Sequence, residues 1–138
     1  DLEIYRIPAR GGIPQRLSDS PQGDYQPIWS ADGAWIAFTS WRDGNQEVYV
    51  MPADGGLART VTSSAGDDWS PVWSPDGEAL TFLSERHGAT ELYRQPLDGG
   101  PAVRLTASEL PKERPTTSSD GSLLFAHRIC FVIQGKVK

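Results

Sequence analysis

The chain has 138 residues, a net charge of −5 and a pI near 4.9, with 38% apolar and 22% charged residues. That length suits one domain; no apolar run approaches the roughly 20 residues of a membrane span, no segment reads as a signal peptide, and the lack of a basic patch argues against nucleic acid. The single cysteine, Cys130, excludes an internal disulfide and a multi-cysteine metal centre. Five tryptophans, four tyrosines and four phenylalanines supply core to a chain rich in glycine (14) and proline (11), so it does not read as disordered. Its only methionine is Met51, which reads as a chain cut from something longer.

In chain order, residues 1–18 hold an opening strand pair, with Glu3-Ile4-Tyr5 ahead of Pro8 and the Gly11-Gly12 turn. A strand is expected over 27–30, closed by Asp32-Gly33, because glycine reaches positive φ without steric cost. Residues 35–40 alternate Ile36 and Phe38 with smaller side chains, a period-2 pattern. A third strand over 47–51 stops at Pro52 and the turn Ala53-Asp54-Gly55-Gly56, and 58–62 forms a fourth. The set then returns: Pro71-Val72-Trp73-Ser74-Pro75-Asp76-Gly77 repeats 27–33, and Glu91-Leu92-Tyr93 repeats Glu47-Val48-Tyr49. Glu3, Glu47 and Glu91 are 44 residues apart, as are Asp32, Asp76 and Asp120. Two markers in one register argue strongly against chance.

A third copy is worn. Thr117 stands where Trp29 and Trp73 stand, nothing follows Leu123-Leu124-Phe125-Ala126 in place of Ser40-x-Arg42-Asp43-Gly44, and 127–138 fits no repeat position. Four short antiparallel strands per 44 residues is the period of a propeller blade. The fold class is therefore all-β, β-propeller blades of four strands: a half-blade at 1–18, blades at 27–62 and 71–106, a half-blade at 115–126 and a divergent tail at 127–138. Propellers close with about 4–8 blades, and an open arc exposes unpaired strand edges. The chain is thus expected to be a piece of a longer propeller or, as the alternative, a self-associating unit in which two copies complete six blades.

The residues Pro71, Trp73, Ser74, Pro75, Asp76 and Gly77, with Ile36-Ala37-Phe38, Ser40, Arg42-Asp43-Gly44, Glu47-Val48-Tyr49-Val50-Met51 and Asp54-Gly55-Gly56, resemble the WD-repeat-like blades of TolB-type propellers. The same repeat occurs in tricorn protease and the prolyl-oligopeptidase-type peptidases. The resemblance covers about residues 1–126 and implies a non-catalytic scaffold that binds a protein or peptide in a periplasmic or otherwise extracytoplasmic setting. The alternative it implies is the propeller segment of a serine peptidase whose catalytic domain lies outside this chain.

In an antiparallel meander the turns alternate between two faces. The Asp-Gly turns share one face and read as structural. The other carries the loops holding Trp41-Arg42-Asp43, Glu85-Arg86-His87, Asp24-Tyr25-Gln26 and Asp67-Asp68-Trp69. Interfaces favour aromatic and arginine anchors, so Tyr25, Trp41, Arg42, Asp43, Asp68, Trp69, Arg86 and His87 are the candidate partner-binding residues; the competing reading has the Arg–Asp pairs tying neighbouring blades. Trp29 and Trp73 are expected to pack between blades with the indole N–H bonded to a neighbour. The recurring Glu3, Glu47 and Glu91 read as a repeated salt bridge or cap. With two histidines, no Gly-x-Ser-x-Gly elbow and no phosphate loop, no catalytic residue and no cofactor is expected. Asp24 and Asp67-Asp68 attract cations, but two adjacent carboxylates lack the oxygen count of a calcium loop, so no metal site is expected.

Overall fold

A computed structural model describes residues 2–108 and 112–127. Among them lie twelve strands and no helix, so no helix is long and apolar enough to cross a membrane. Strands β1 (Tyr5–Arg6) and β2 (Gln15–Arg16) pair alone. Strands β3 (Asp24–Trp29), β4 (Trp35–Ser40), β5 (Glu47–Pro52) and β6 (Arg59–Thr60) form one four-stranded antiparallel meander. Strands β7 (Asp68–Trp73), β8 (Ala79–Ser84), β9 (Glu91–Pro96) and β10 (Val103–Arg104) form a second, and β11 (Lys112–Thr117) pairs with β12 (Leu123–His127). These are propeller blades in an arc that does not close. The expected tail beyond His127 lies outside the described residues.

The innermost strand is longer than expected: β3 begins at Asp24, three residues before the proline that the sequence suggested as its start. A bulge makes this possible. Register shifts between Tyr25 and Ile28, between Trp69 and Val72, and between Glu113 and Thr116. At each bulge a non-glycine residue takes positive φ: Gln26 at 55°, Ser70 at 53° and Arg114 at 51°. The prolines that follow at 27, 71 and 115 supply no N–H to the ladder, which suits the bulge.

Alternating side chains of each sheet pack against the next. Ala37, Val48 and Val50 of the first meander meet Trp73, Leu80, Phe82 and Tyr93 of the second in one buried cluster. Ile4 and Leu17 from the β1–β2 pair meet Ile36, Phe38, Tyr49 and Met51 in another. Trp73 behaves as expected: it is buried, and its Nε1 donates to the Ile28 carbonyl across the seam at 3.2 Å. Trp29 does not; it is 49% exposed.

Candidate functional site

The two ends of the arc are built differently. At one end, Ser30 and Ser74 hydroxyls donate to Asp32 and Asp76, whose carboxylates also accept the backbone N–H of Ala34 and Glu78 at 3.0 and 2.9 Å. Those bonds hold both carboxyls below their usual range. Gly33 and Gly77, at φ 70° and 73°, close these turns. Ala53 N–H to Ala34 and Leu97 N–H to Glu78 tie the outer turns to the same end. The Asp32 and Asp76 carboxylates are thus used within their own turns.

The opposite end carries the loops. Arg42 leaves the β4–β5 turn and donates through Nη2 to both Asp24 oxygens at 2.9 Å and through Nε to Ser40 Oγ at 2.9 Å. Its guanidinium lies 4.6 Å from the Tyr49 ring centroid and 5.5 Å from that of Phe38. Arg86 repeats the arrangement on Asp68, Ser84, Tyr93 and Phe82, but its Nη2 reaches only Oδ2 of Asp68, at 2.7 Å. Both pairs lie within one sheet, joining its innermost strand to its own loop. They do not tie neighbouring blades, because the arginine sits on the hairpin that folds back over the same strand.

Tyr49 OH donates to Asp43, and burial, with Asp43 adding to it, pushes its pKa up to about 12. In the next copy His87 replaces Asp43: its Nδ1 lies 2.6 Å from Tyr93 OH and its ring stacks on Tyr93. Tyr25 OH donates to Gln46 Oε1, and burial raises this phenol to about 12. Gln46 in turn donates from its backbone N and its Nε2 to Asp67, bridging the first meander to the loop that enters the second. Trp41 is exposed and Trp69 half-buried. Seven of the eight candidate residues therefore reach the loop surface at least in part. Asp68 does not: it is fully buried beneath Arg86.

The recurring glutamates are both cap and ion pair. Glu3 accepts from Ser18 Oγ, the Ser20 N–H and Arg16. Glu47 accepts from Thr62 Oγ1, the Ser64 N–H and Asn45. Glu91 accepts from Thr106 Oγ1, the Ser108 N–H, Arg104 and Lys112. Each thus fastens the outermost strand and the loop after it. Burial pushes Glu91 up, but those four donors outweigh it and bring it down to about 2. Sequence reasoning missed Lys112 and the Gln46–Asp67 bridge. The signal for Lys112 was present, since it lies 44 residues after Asp68, where the repeat demands an acid.

Comparison with known proteins agrees with this architecture. The sequence profile of the tricorn protease N-terminal beta propeller domain matches residues 1–91. The Tol-Pal system protein TolB of Desulfosudis oleivorans is 40% identical over 45 residues, 33% of this chain and 10% of that protein. A solved structure of putative TolB from Agrobacterium tumefaciens superposes with a TM-score of 0.84 at 29% identity, over 96% of this chain and 48% of that one. TolB from Acinetobacter baumannii gives 0.77 at 29% identity, over 91% and 32%. The chain spans less than half the length of each of these relatives. With four-stranded antiparallel blades at a 44-residue period, and with that profile covering most of its length, the chain belongs to the tricorn protease N-terminal β-propeller family and carries its TolB-type repeat.

Proposed function

We propose that the chain is a non-catalytic propeller scaffold, extracytoplasmic as its TolB likeness suggests, whose loop end binds a protein or peptide partner. One observation carries this reading. Trp41, Tyr25 and Trp69 stand at the loop end beside Arg42 and Arg86, whose guanidinium groups are held over aromatic rings and whose side chains stay 26% and 19% exposed. Pre-ordered aromatic and arginine groups are the common anchors of protein interfaces, because little side-chain entropy is left to lose. At the turn end the Asp32 and Asp76 carboxylates are already bonded within their turns. Asp43 and His87 beside the arginines differ between copies, which would let one face present different chemistry in each blade.

The test is site-specific photocrosslinking in cells of the source organism, with a photoreactive residue at 41 or 69 on the loop end and at 33 or 77 on the turn end. Adducts from the loop end alone support the proposal; equal adducts from both ends, or from the turn end alone, overturn it. A second reading follows from the tricorn-type profile: the chain would be the propeller segment of a serine peptidase. A Gly-x-Ser-x-Gly hydrolase segment in the parent open reading frame would favour it.

A further inference from the structure

The arc ends in two half-sheets, and each is the half that the other lacks. Among the described residues β1 pairs only with β2, and β12 only with β11. In the whole sheets the strands at those positions pair with each other along their length, β4 with β5 and β8 with β9. The β1–β2 pair keeps the register of an outer half, since Tyr5 opposite Arg16 repeats Tyr49 opposite Thr60. The β11–β12 pair is an inner half whose turn is one residue tighter: Ser118 N–H donates to the Ser122 carbonyl, whereas Ser30 and Ser74 donate to Trp35 and Ala79. Thr117 therefore pairs with Leu123 and Thr116 with Leu124, as Trp29 pairs with Ile36 and Ile28 with Ala37. A one-residue step decides which face each side chain of a strand takes. This one sets Leu123-Leu124-Phe125 on Ile36-Ala37-Phe38 and Leu80-Thr81-Phe82, so the worn copy keeps the aromatic of its second strand.

That aromatic lacks the neighbour its counterparts have. Phe38 stands opposite Tyr49 and Phe82 opposite Tyr93, all four buried, with ring centroids 5.8 and 6.4 Å apart. Phe125 is 43% exposed, and Tyr5, in the place of Tyr49, is 57% exposed at the other end of the arc. The next pair repeats this: Met51 opposite Ile36 is buried, and Ile7 in the place of Met51 is exposed. Leu17 is buried in one cluster with Tyr49 and Met51. Leu105, in its place two repeats on, is exposed and lines the open cleft with Thr81, Arg94, Thr117 and Leu123.

We propose that two copies of this chain close into one ring, with β1 of each copy paired to β12 of the other and Tyr5 of one opposite Phe125 of the other. The count selects the second copy as the occupant. Two whole sheets and two halves make three blades if one copy closes on itself, six with two copies and nine with three, and only six lies in the range of about 4–8 at which propellers close. The two joints are identical, so the ring closes by a two-fold rotation and leaves no strand edge inside a blade unpaired. Each joint restores the aromatic pair and brings Tyr5 and Ile7 over Leu105. The same step along the ring sets Trp29 of one copy beside the Thr116 carbonyl of the other, as Trp73 lies beside that of Ile28. Association depends on concentration, and the dilute chain keeps the open second seam. The joint runs along strand edges and leaves the loop end free, so it stands or falls apart from the scaffold reading.

The test is sedimentation velocity of the full chain across a range of concentrations, where a dimer that gives way to monomer on dilution is expected. A folded monomer up to about 100 μM, or a ladder of larger open polymers, overturns the proposal. Tyr5→Asp and Phe125→Asp should each raise the dimer Kd by about 1,000-fold, since each removes the aromatic pair from both joints. A dimer unchanged in both variants also overturns it. Crosslinking keeps the test open if those variants do not fold. In a Cys130→Ser background, Tyr5→Cys with Phe125→Cys should give a covalent dimer with a short bis-maleimide, because directly opposed side chains in an antiparallel pair lie about 5 Å apart at Cβ. Leu57→Cys with Phe125→Cys, which places one thiol on an exposed turn away from the joint, should stay monomeric on a denaturing gel. No dimer from the 5 and 125 pair, or equal dimer from both pairs, contradicts the ring.

Discussion

The two seams on either side of the β7–β10 sheet are made from the same positions, 44 residues apart, and they are not equally closed. In the first, Trp73, Leu80 and Phe82 lie on Ala37, Val48 and Val50, all 7% exposed or less. In the second, Thr117 replaces the tryptophan, Thr81 and Arg94 replace Ala37 and Val50, Leu124 is 67% exposed, and a cleft of about 500 Å³ remains. Their buried charges differ in the opposite sense: the second seam joins Glu91 to Lys112 directly, whereas in the first Arg86 pairs with Asp68 and Glu47 makes no ion pair among the described residues. One seam is held by apolar burial and carries electrostatic strain. The other is held by an ion pair and is open.

Substitutions should expose this difference, the largest first. Trp73→Ala should destabilise by about 4 kcal/mol, since it opens a cavity and strands the Ile28 carbonyl, and Thr117→Ala by less than about 1 kcal/mol; urea unfolding measures both. Glu91→Gln should cost about 3 kcal/mol by removing the buried charge that Lys112 and Arg104 meet. Acid should act on the seams in opposite directions. Glu91 is depressed to about 2, so its stabilisation is present above the ordinary glutamate pKa and is lost as pH falls from about 4.5 towards 2. Burial raises Asp68, with Glu47 adding to it, so its seam is relieved as pH falls through that raised value. Urea midpoints from pH 2 to 7 should therefore fall less steeply in acid in Glu91→Gln than in Asp68→Asn, with Asp32 and Asp76, also held low, keeping part of the acid limb in both. Thr117→Trp, which fills the open cleft, should give a small gain of about 1 kcal/mol.

Much of this was legible in the sequence, because a repeat reports its own geometry. The 44-residue spacing places the turns at Asp32-Gly33 and Asp76-Gly77, the strand at Trp35–Ser40 and the seam role of Trp73. It did not place the bulges, since Gln26, Ser70 and Arg114 share no preference for positive φ and only the pairing of β3, β7 and β11 forces it. Nor did it show that Asp68 is sealed beneath Arg86, because adjacent acids in a loop look alike whether buried or not. The exposure of Trp29 was not readable, because the repeat gives it the same sequence surroundings as the buried Trp73. Lys112 was readable in principle, as a reversed charge in an otherwise acidic column.

Native-state hydrogen exchange, read strand by strand, bears most directly on a molecule whose sheets draw their stability from the seams beside them. Amides of β4, β5 and β8, which flank the closed seam, should exchange only through global unfolding, while those of β11 and β12 should exchange faster by orders of magnitude. Equal protection in β8 and β12 would contradict that picture.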